Sequence, residues 1–145
     1  MPDHAAAEAF LDTHRRTFES FDVAAITALY ALPVQVVGDA GNVSVVVVPA
    51  ADAWGSQVER IVGAYRLLGV SGATVERLDV AEVTPGIAQA VVTWSLHAAA
   101  GDPVHDFTAS YTLADLPEGT RIVGIAHDET PKLAAAVARA RSSGT

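Results

Sequence analysis

Two histidines occur within apolar patterns, where polar side chains are uncommon. In FLDTHRRTFESFD, helical spacing puts His14 in line with Phe10, Phe18 and Phe21. In VHDFTASYTL, strand alternation puts His105 on one face with Phe107, Ala109, Tyr111 and Leu113. An imidazole titrates near neutral pH and can both donate and accept a proton. His14 and His105 are therefore the candidate catalytic residues, facing a shared apolar pocket.

A structural role for His14 fits the same pattern. A lone histidine on an apolar stripe is often a buried residue that bonds to a backbone carbonyl. Trp54, Tyr65 and Trp94 are likewise compatible with a plain core position. Alternation does not place His127, because both faces of its strand are apolar. If a pocket exists, its expected lining residues are Tyr30, Trp54, Trp94, Phe107, Tyr111 and His127.

Other catalytic and binding motifs are missing from the sequence. It has no cysteine, so thiolate chemistry and disulfides are excluded. It contains no H-E-x-x-H, no G-x-S-x-G and no glycine-rich phosphate loop between a strand and a helix. His105 and Asp106 point to opposite strand faces, and the HDE run at His127–Glu129 is expected to be solvated at a strand end. We predict neither a metal site nor a cofactor.

Hydrophobic periodicity predicts the elements that must position these residues. In the first half we expect a helix over 3–20, a short helix capped by Asp22 and ended by Pro33, a hairpin over 33–48, and a helix from Pro49 to Gly69. Period-two patterns with Gly and Pro turns then predict strands over 73–83, 87–98, 104–113 and 120–128, followed by a helix over 130–140.

This order indicates one α+β domain spanning residues 1–145, with 142–145 as a flexible tail. We expect about six antiparallel strands, because short turns join the consecutive strands. The three helices of the N-terminal half should cover one face of this sheet, and a short helix should end the chain.

The order resembles the nuclear transport factor 2-like superfamily, with its SnoaL-like and ketosteroid-isomerase-like branches. The resemblance rests on ESFDVAAITALYALPVQVV, PAADAWGSQVERIVGAY and YTLADLPEGTRIVGIAHDE, and it covers nearly the whole chain. It implies a strongly curved sheet wrapped around helices into a cone with an apolar cavity. Members include isomerases, dehydratases, hydrolases and non-catalytic binding modules, so the fold alone decides no function.

The resemblance also assigns positions. His14 falls where ketosteroid-isomerase-like members carry a pocket-facing tyrosine that donates to a substrate oxygen. Their catalytic carboxylate corresponds to Gly38 or Asp39 here, and Asp39 is better explained as a turn former. Their second oxygen-binding acid falls near Ala109, and we find no inward aspartate to pair with a histidine as in dehydratase-like members. Steroid isomerisation is therefore not expected.

Charge and composition limit the partners. The formal net charge is −8, from 9 Lys+Arg against 17 Asp+Glu, which disfavours nucleic acid and anionic membrane surfaces. No apolar run reaches the length of a membrane helix, and the start does not resemble a signal peptide, so we expect a cytoplasmic protein. Small polar residues on the outer sheet face favour a homodimer: Thr93, Ser95, Thr108, Ser110 and Thr112.

Two functional hypotheses follow. The first is a module that binds an apolar small molecule in the cone without catalysis. The second is a cofactor-independent isomerase, dehydratase or hydrolase in which His14, with His105, transfers protons. The rarity of inward polar residues favours the binding module, whereas two polar groups converging on a cavity would favour the enzyme.

Overall fold

A computed structural model of the protein describes residues 3–143 as four helices and six strands. In chain order they are α1 (His4–Glu19), α2 (Val23–Thr27), β1 (Tyr30–Asp39), β2 (Val43–Val48), α3 (Ala51–Leu68), β3 (Val70–Thr84), β4 (Ile87–Ala98), β5 (Pro103–Leu116), β6 (Gly119–His127) and α4 (Glu129–Ser143). Within the described residues, no helix is both long and apolar enough to cross a membrane.

The helix ends follow the local chemistry of the sequence. Asp3 accepts a hydrogen bond from the Ala6 N–H at 2.8 Å, and Asp22 accepts one from the Ala25 N–H at 3.1 Å. Each carboxylate thereby satisfies a backbone donor that the first helical turn leaves free. Gly69 ends α3 with φ of 73°, a left-handed conformation that glycine adopts without strain. These caps lie where the sequence predicts them.

Several boundaries differ from the sequence-based expectation. Tyr30 was expected at the inward end of the second helix, but that helix ends at Thr27 and Tyr30 begins β1. The strand β3 is longer than predicted and starts directly after the α3 cap. The last helix runs on through Ser143, so it includes the first two residues of the expected tail, whereas 144–145 lie outside the described residues.

The six strands form one mixed sheet in the order β2-β1-β6-β5-β4-β3. Four neighbouring pairs are antiparallel, as the short turns predict, but β1 pairs with β6 in parallel. Every pair except β1–β2 contains a register shift, and such irregularities bend and twist strands. The parallel pair joins the first hairpin to the last strand, which places β1 next to the C-terminal meander.

One face of this sheet carries the core. Alternate residues of β4 and β5 are buried, and they are the sets that the alternation predicts. The helix α1 contacts β3, α4 contacts β5, and α3 contacts both α2 and α4. The helices therefore cover the inner face of the sheet. The fully buried large side chains are Leu11, Ile26, Val34, Val58, Val92, Tyr111, Leu113 and Ile122.

Candidate functional site

A cavity of about 100 Å³ lies between the helices and the inner face of the sheet. Its wall is predominantly apolar and aromatic, contributed by α1, α3, the first residue of α4 and all strands except β2. His14 is part of this wall. So are all six lining residues that the sequence predicts: Tyr30, Trp54, Trp94, Phe107, Tyr111 and His127. His105 is buried but is not among the residues that line the cavity.

His14 is enclosed by aromatic side chains. Its ring lies 4.8 Å from that of Phe18, 5.7 Å from Trp94 and 5.4 Å from Tyr111, between centroids. Its Nε2 lies 3.2 Å from Tyr30 Oη, so its polar partner is a phenol rather than a backbone carbonyl. Burial lowers the pKa of His14 to about 3, because the charged ring would lose its hydration. The imidazole is therefore neutral at physiological pH.

Tyr111 presents a hydroxyl beside His14. The indole Nε1 of Trp94 donates a hydrogen bond to Tyr111 Oη at 2.9 Å. An indole N–H can only donate, so this contact occupies a lone pair of the phenol and leaves its proton for another acceptor. Burial raises the pKa of Tyr111, which keeps the phenol protonated. This part of the wall can thus donate a hydrogen bond to a ligand.

A buried carboxylate accepts hydrogen bonds at another part of the wall. Glu129, the first residue of α4, is 9% exposed and lines the cavity. Its Oε2 accepts a hydrogen bond from Tyr65 Oη and another from His105 Nε2, which lies 3.0 Å away. Because a carboxylate oxygen accepts, His105 Nε2 is the donor in this contact. His105 does not itself line the cavity, but it contacts Glu129, which does.

The burial of Glu129 shows that the expectation of a solvated HDE run is wrong for this residue. The sequence puts this residue just after a strand, at a position that normally faces water. In the structure α4 begins at Glu129 and packs against β5 and α3, so the carboxylate lies between His105 and Tyr65. Glu129 is also the inward acid that the sequence did not reveal. Periodicity could not find it, because it depends on how the last helix folds back.

His127 stands beside this carboxylate. The backbone N–H of Glu129 donates to His127 Nδ1 at 3.1 Å, which fixes Nδ1 as an acceptor. The neutral ring therefore carries its hydrogen on Nε2. His127 is half-buried and lines the cavity. Strand alternation alone did not show which face of the strand carries its side chain. It adds a polar edge to an otherwise aromatic wall.

Two buried nitrogens on the wall have no hydrogen-bond partner among residues 3–143. They are Nδ1 of His14 and Nε1 of Trp54. Buried polar atoms are nearly always paired, and each exception calls for an explanation. The indole nitrogen is a donor in every state. A ligand that carries an oxygen acceptor would satisfy it.

Arg15 and Glu19, a charged pair on α1, line the cavity. Arg15 Nη1 donates to Glu19 Oε1 at 2.9 Å, and its Nη2 donates to Asp12 Oδ1 at 2.8 Å. Glu19 Oε2 also accepts from the Ala73 N–H at 2.9 Å, which ties α1 to β3. The Arg15 charge is thus neutralised by its own helix. Surface pairs of this kind contribute little to stability but can order a cavity rim.

The isomerase-type acids are not reproduced at their corresponding positions. Asp39 is exposed, and its Oδ1 accepts from the Gly41 N–H at 3.0 Å, as a turn former does. Ala109 is completely buried in the core. Within residues 3–143, no three or more His, Asp or Glu side chains group closely enough to hold a metal ion.

Comparisons with known proteins agree with this fold. An NTF2-like protein with a cystatin-like fold from Novosphingobium aromaticivorans superposes with a TM-score of 0.63 at 15% identity, over 95% of this chain and 97% of that one. An NTF2-like protein of unknown function from Shewanella oneidensis gives 0.64 at 11% identity, over 84% and 95%. The yeast UBP3-associated protein BRE5 gives 0.65 at 14% identity, over 83% and 91%.

These identities are low, so the likeness shows the fold alone. No curated protein matches the sequence. A family profile described as NTF2-like protein (DUF6841) matches residues 3–130, which is most of the chain and includes every strand of the sheet. The protein therefore belongs to this family of NTF2-like proteins.

Proposed function

We propose that the protein binds a small, largely apolar molecule in the cavity between its helices and sheet. The observation that carries this proposal is the pair of unpartnered buried nitrogens, His14 Nδ1 and Trp54 Nε1, in two residues that line the aromatic cavity. Aromatic walls with few, directed polar atoms are typical of small-molecule sites. An oxygen acceptor on the ligand would pair with the Trp54 N–H, and the apolar body would displace water from the rings.

The size of the cavity limits the ligand. About 100 Å³ is smaller than a usual drug-sized site, and it suits a molecule with a single ring. The catalytic groups of the isomerases are absent from their usual positions, as described above. The burial of His14 also makes it a weak base at neutral pH, since its pKa falls to about 3. These points favour binding over proton transfer by His14.

Intrinsic fluorescence tests the proposal, because both tryptophans of the sequence line the cavity. Cyclohexanone, a one-ring ketone, serves as the probe. We expect a saturable change in tryptophan emission at millimolar concentration. Val36→Phe should abolish this change because Val36 lines the cavity, whereas Val83→Phe, at an exposed position, should retain it. A linear, non-saturating response, or equal responses of both variants, would contradict the proposal.

A second candidate is a cofactor-free enzyme that works by general acid–base catalysis. The Glu129 carboxylate on the cavity wall favours it, because the two hydrogen bonds hold its Oε2 in place and leave Oε1 to exchange a proton with a bound molecule. His14 would then act as a hydrogen-bonding group rather than as the base.

Exchange at the α-carbon of cyclohexanone in D₂O tests this candidate by NMR. The α C–H bond breaks, its electron pair moves into the carbonyl group to give the enolate, and the proton passes to the Glu129 carboxylate. The carboxyl group exchanges this proton with solvent, and a deuteron returns to the same carbon as the ketone re-forms. We expect exchange above the buffer rate, its loss in Glu129→Gln, and its retention in Glu118→Gln, which changes an exposed turn. Exchange at the buffer rate in the unaltered protein would exclude this chemistry for the ketone.

A further inference from the structure

The cavity contains one carboxylate that lacks an arginine or lysine partner. Arg15 and Glu19 also line the cavity, but they pair with each other. Within residues 3–143, the ion-pair partner of Glu129 is His105, and both hydrogen bonds to the carboxylate fall on Oε2. Oε1 accepts no hydrogen bond from the described residues. The second oxygen of a nine-tenths buried carboxylate is thus left for a ligand.

Burying a carboxylate is costly unless its charge is compensated. Burial is the main cause of the raised pKa values of Tyr30, Tyr65 and Tyr111, and the Glu129 charge raises all three further. The negative charge is therefore felt by phenols around the cavity wall.

The aromatic residues of the wall favour the same sign of ligand charge. Aromatic rings carry negative potential on their faces and attract cations, more strongly when water is excluded. Rings of this kind surround the cavity: Phe18, Trp54, Tyr65, Trp94, Phe107 and Tyr111. An anion would meet both these faces and the Glu129 carboxylate. A neutral molecule would gain no charge–charge attraction to Glu129.

We infer that the cavity selects a small ammonium compound with an apolar ring, whose charged nitrogen donates to Glu129 Oε1 while the ring packs on the aromatic wall. An oxygen acceptor on the same compound would pair with the Trp54 N–H. This inference rests on the proposed binding function and assigns its ligand class. Glu129 is then a specificity-determining residue, held in place by His105 and Tyr65. The charge of the ligand, rather than its shape alone, decides its affinity.

Three probes of nearly the same shape isolate the charge: benzylammonium, benzyl alcohol and benzoate. Each is titrated at neutral pH with tryptophan emission as the readout. We expect benzylammonium to bind about tenfold or more tightly than benzyl alcohol, and benzoate to bind most weakly. This comparison uses the unaltered protein, so it does not depend on the folding of a variant.

Glu129→Gln keeps the shape of the side chain and an acceptor for Tyr65 while removing the charge. We expect it to bring the affinities for benzylammonium and benzyl alcohol within about twofold of each other. Glu118→Gln makes the same change in net charge at an exposed turn and should keep the full preference. It therefore controls for attraction by the acidic protein as a whole.

The outcomes separate the inference from the proposed function. Equal binding of benzylammonium and benzyl alcohol to the unaltered protein would overturn the ammonium inference and leave the binding function standing. A preference that persists in Glu129→Gln, or disappears in Glu118→Gln, would also overturn the inference. If none of the three probes binds and cyclohexanone also fails, both the inference and the proposed function are wrong.

Discussion

Neutral His14 carries a consequence for stability that can be measured. Its pKa is about 3 in the folded protein and near 6.5 in the unfolded chain. Between these values the unfolded state binds a proton that the folded state does not, so stability falls as the pH falls. We expect a loss of about 1.4 kcal/mol per pH unit from this residue below about pH 6.5.

Urea unfolding of the unaltered protein and of His14→Gln, at about pH 7 and about pH 4.5, measures this contribution. Carboxylates titrate in both proteins, so the difference between the two acid-induced losses isolates His14. We expect the unaltered protein to lose about 2–3 kcal/mol more than the variant. His4→Gln, which removes an exposed histidine, should behave like the unaltered protein. Equal losses in all three proteins would show that His14 is not held neutral.

The hydrogen bond from Tyr65 to Glu129 predicts a second effect. Tyr65→Phe removes a donor to a buried carboxylate, and we expect it to cost about 2–4 kcal/mol of unfolding free energy. Tyr111→Phe removes a neutral contact with Trp94 and should cost less, about 1–2 kcal/mol. Chemical denaturation compares the two. A smaller cost for Tyr65→Phe would mean that the Tyr65 contact does not stabilise a charged group.

The same residues show how far sequence reasoning reaches. His14 was predicted because a helix of period 3.6 fixes which residues share its stripe, and that stripe is local information. Glu129 was missed because its burial depends on α4 returning to β5 and α3, which no short pattern encodes. His105 was correctly placed on the inner strand face, but its contact with the cavity runs through Glu129.

At the level of elements, two glycines of α3 provide a matched comparison. Gly69 has φ of 73° at the helix end, where a Cβ is disfavoured, so Gly69→Ala should destabilise the protein by about 1 kcal/mol. Gly63 lies inside the helix with open space around an added Cβ, so Gly63→Ala should stabilise it by about 0.5–1 kcal/mol. Thermal unfolding measures both, and shifts of the same sign would contradict this account.

The elements themselves were largely predictable. Caps such as Asp3 and Asp22 and the period-two strands are local signals, and the structure confirms them. The parallel pairing of β1 with β6 was not predicted, because it joins segments at opposite ends of the chain. Short turns report only on consecutive strands. For the same reason the start of β1 at Tyr30 was mistaken for the end of a helix.

At the level of the whole molecule, the homodimer that the sequence suggests stays a prediction, and its expected interface is the outer face of β4 and β5. Small polar side chains cover it, and Gln89 links two of them. Its amide donates to Ser110 Oγ at 2.8 Å and its carbonyl accepts from Thr112 Oγ1 at 2.9 Å. These contacts hold the side chains close to the sheet, which permits another flat surface to approach.

Light scattering after size exclusion at micromolar concentration tests this dimer. We expect a dimer for the unaltered protein and a monomer for Thr93→Arg, because a long charged side chain would separate the two faces. Val45→Lys changes the exposed outer strand β2 instead and should leave the dimer intact. A monomeric unaltered protein, or dissociation by Val45→Lys alone, would show that this face is not the interface.

The parallel contact of β1 with β6 also constrains when the protein can fold during its synthesis. Val36 pairs with Ile125, so β1 lacks its inner neighbour until β6 has left the ribosome. Until then β2, which exposes Val43, Val45, Val46 and Val47, and its partner strand form a hairpin with two open edges. The nascent chain must therefore keep this valine-rich hairpin from pairing with other chains until β6 has been synthesised.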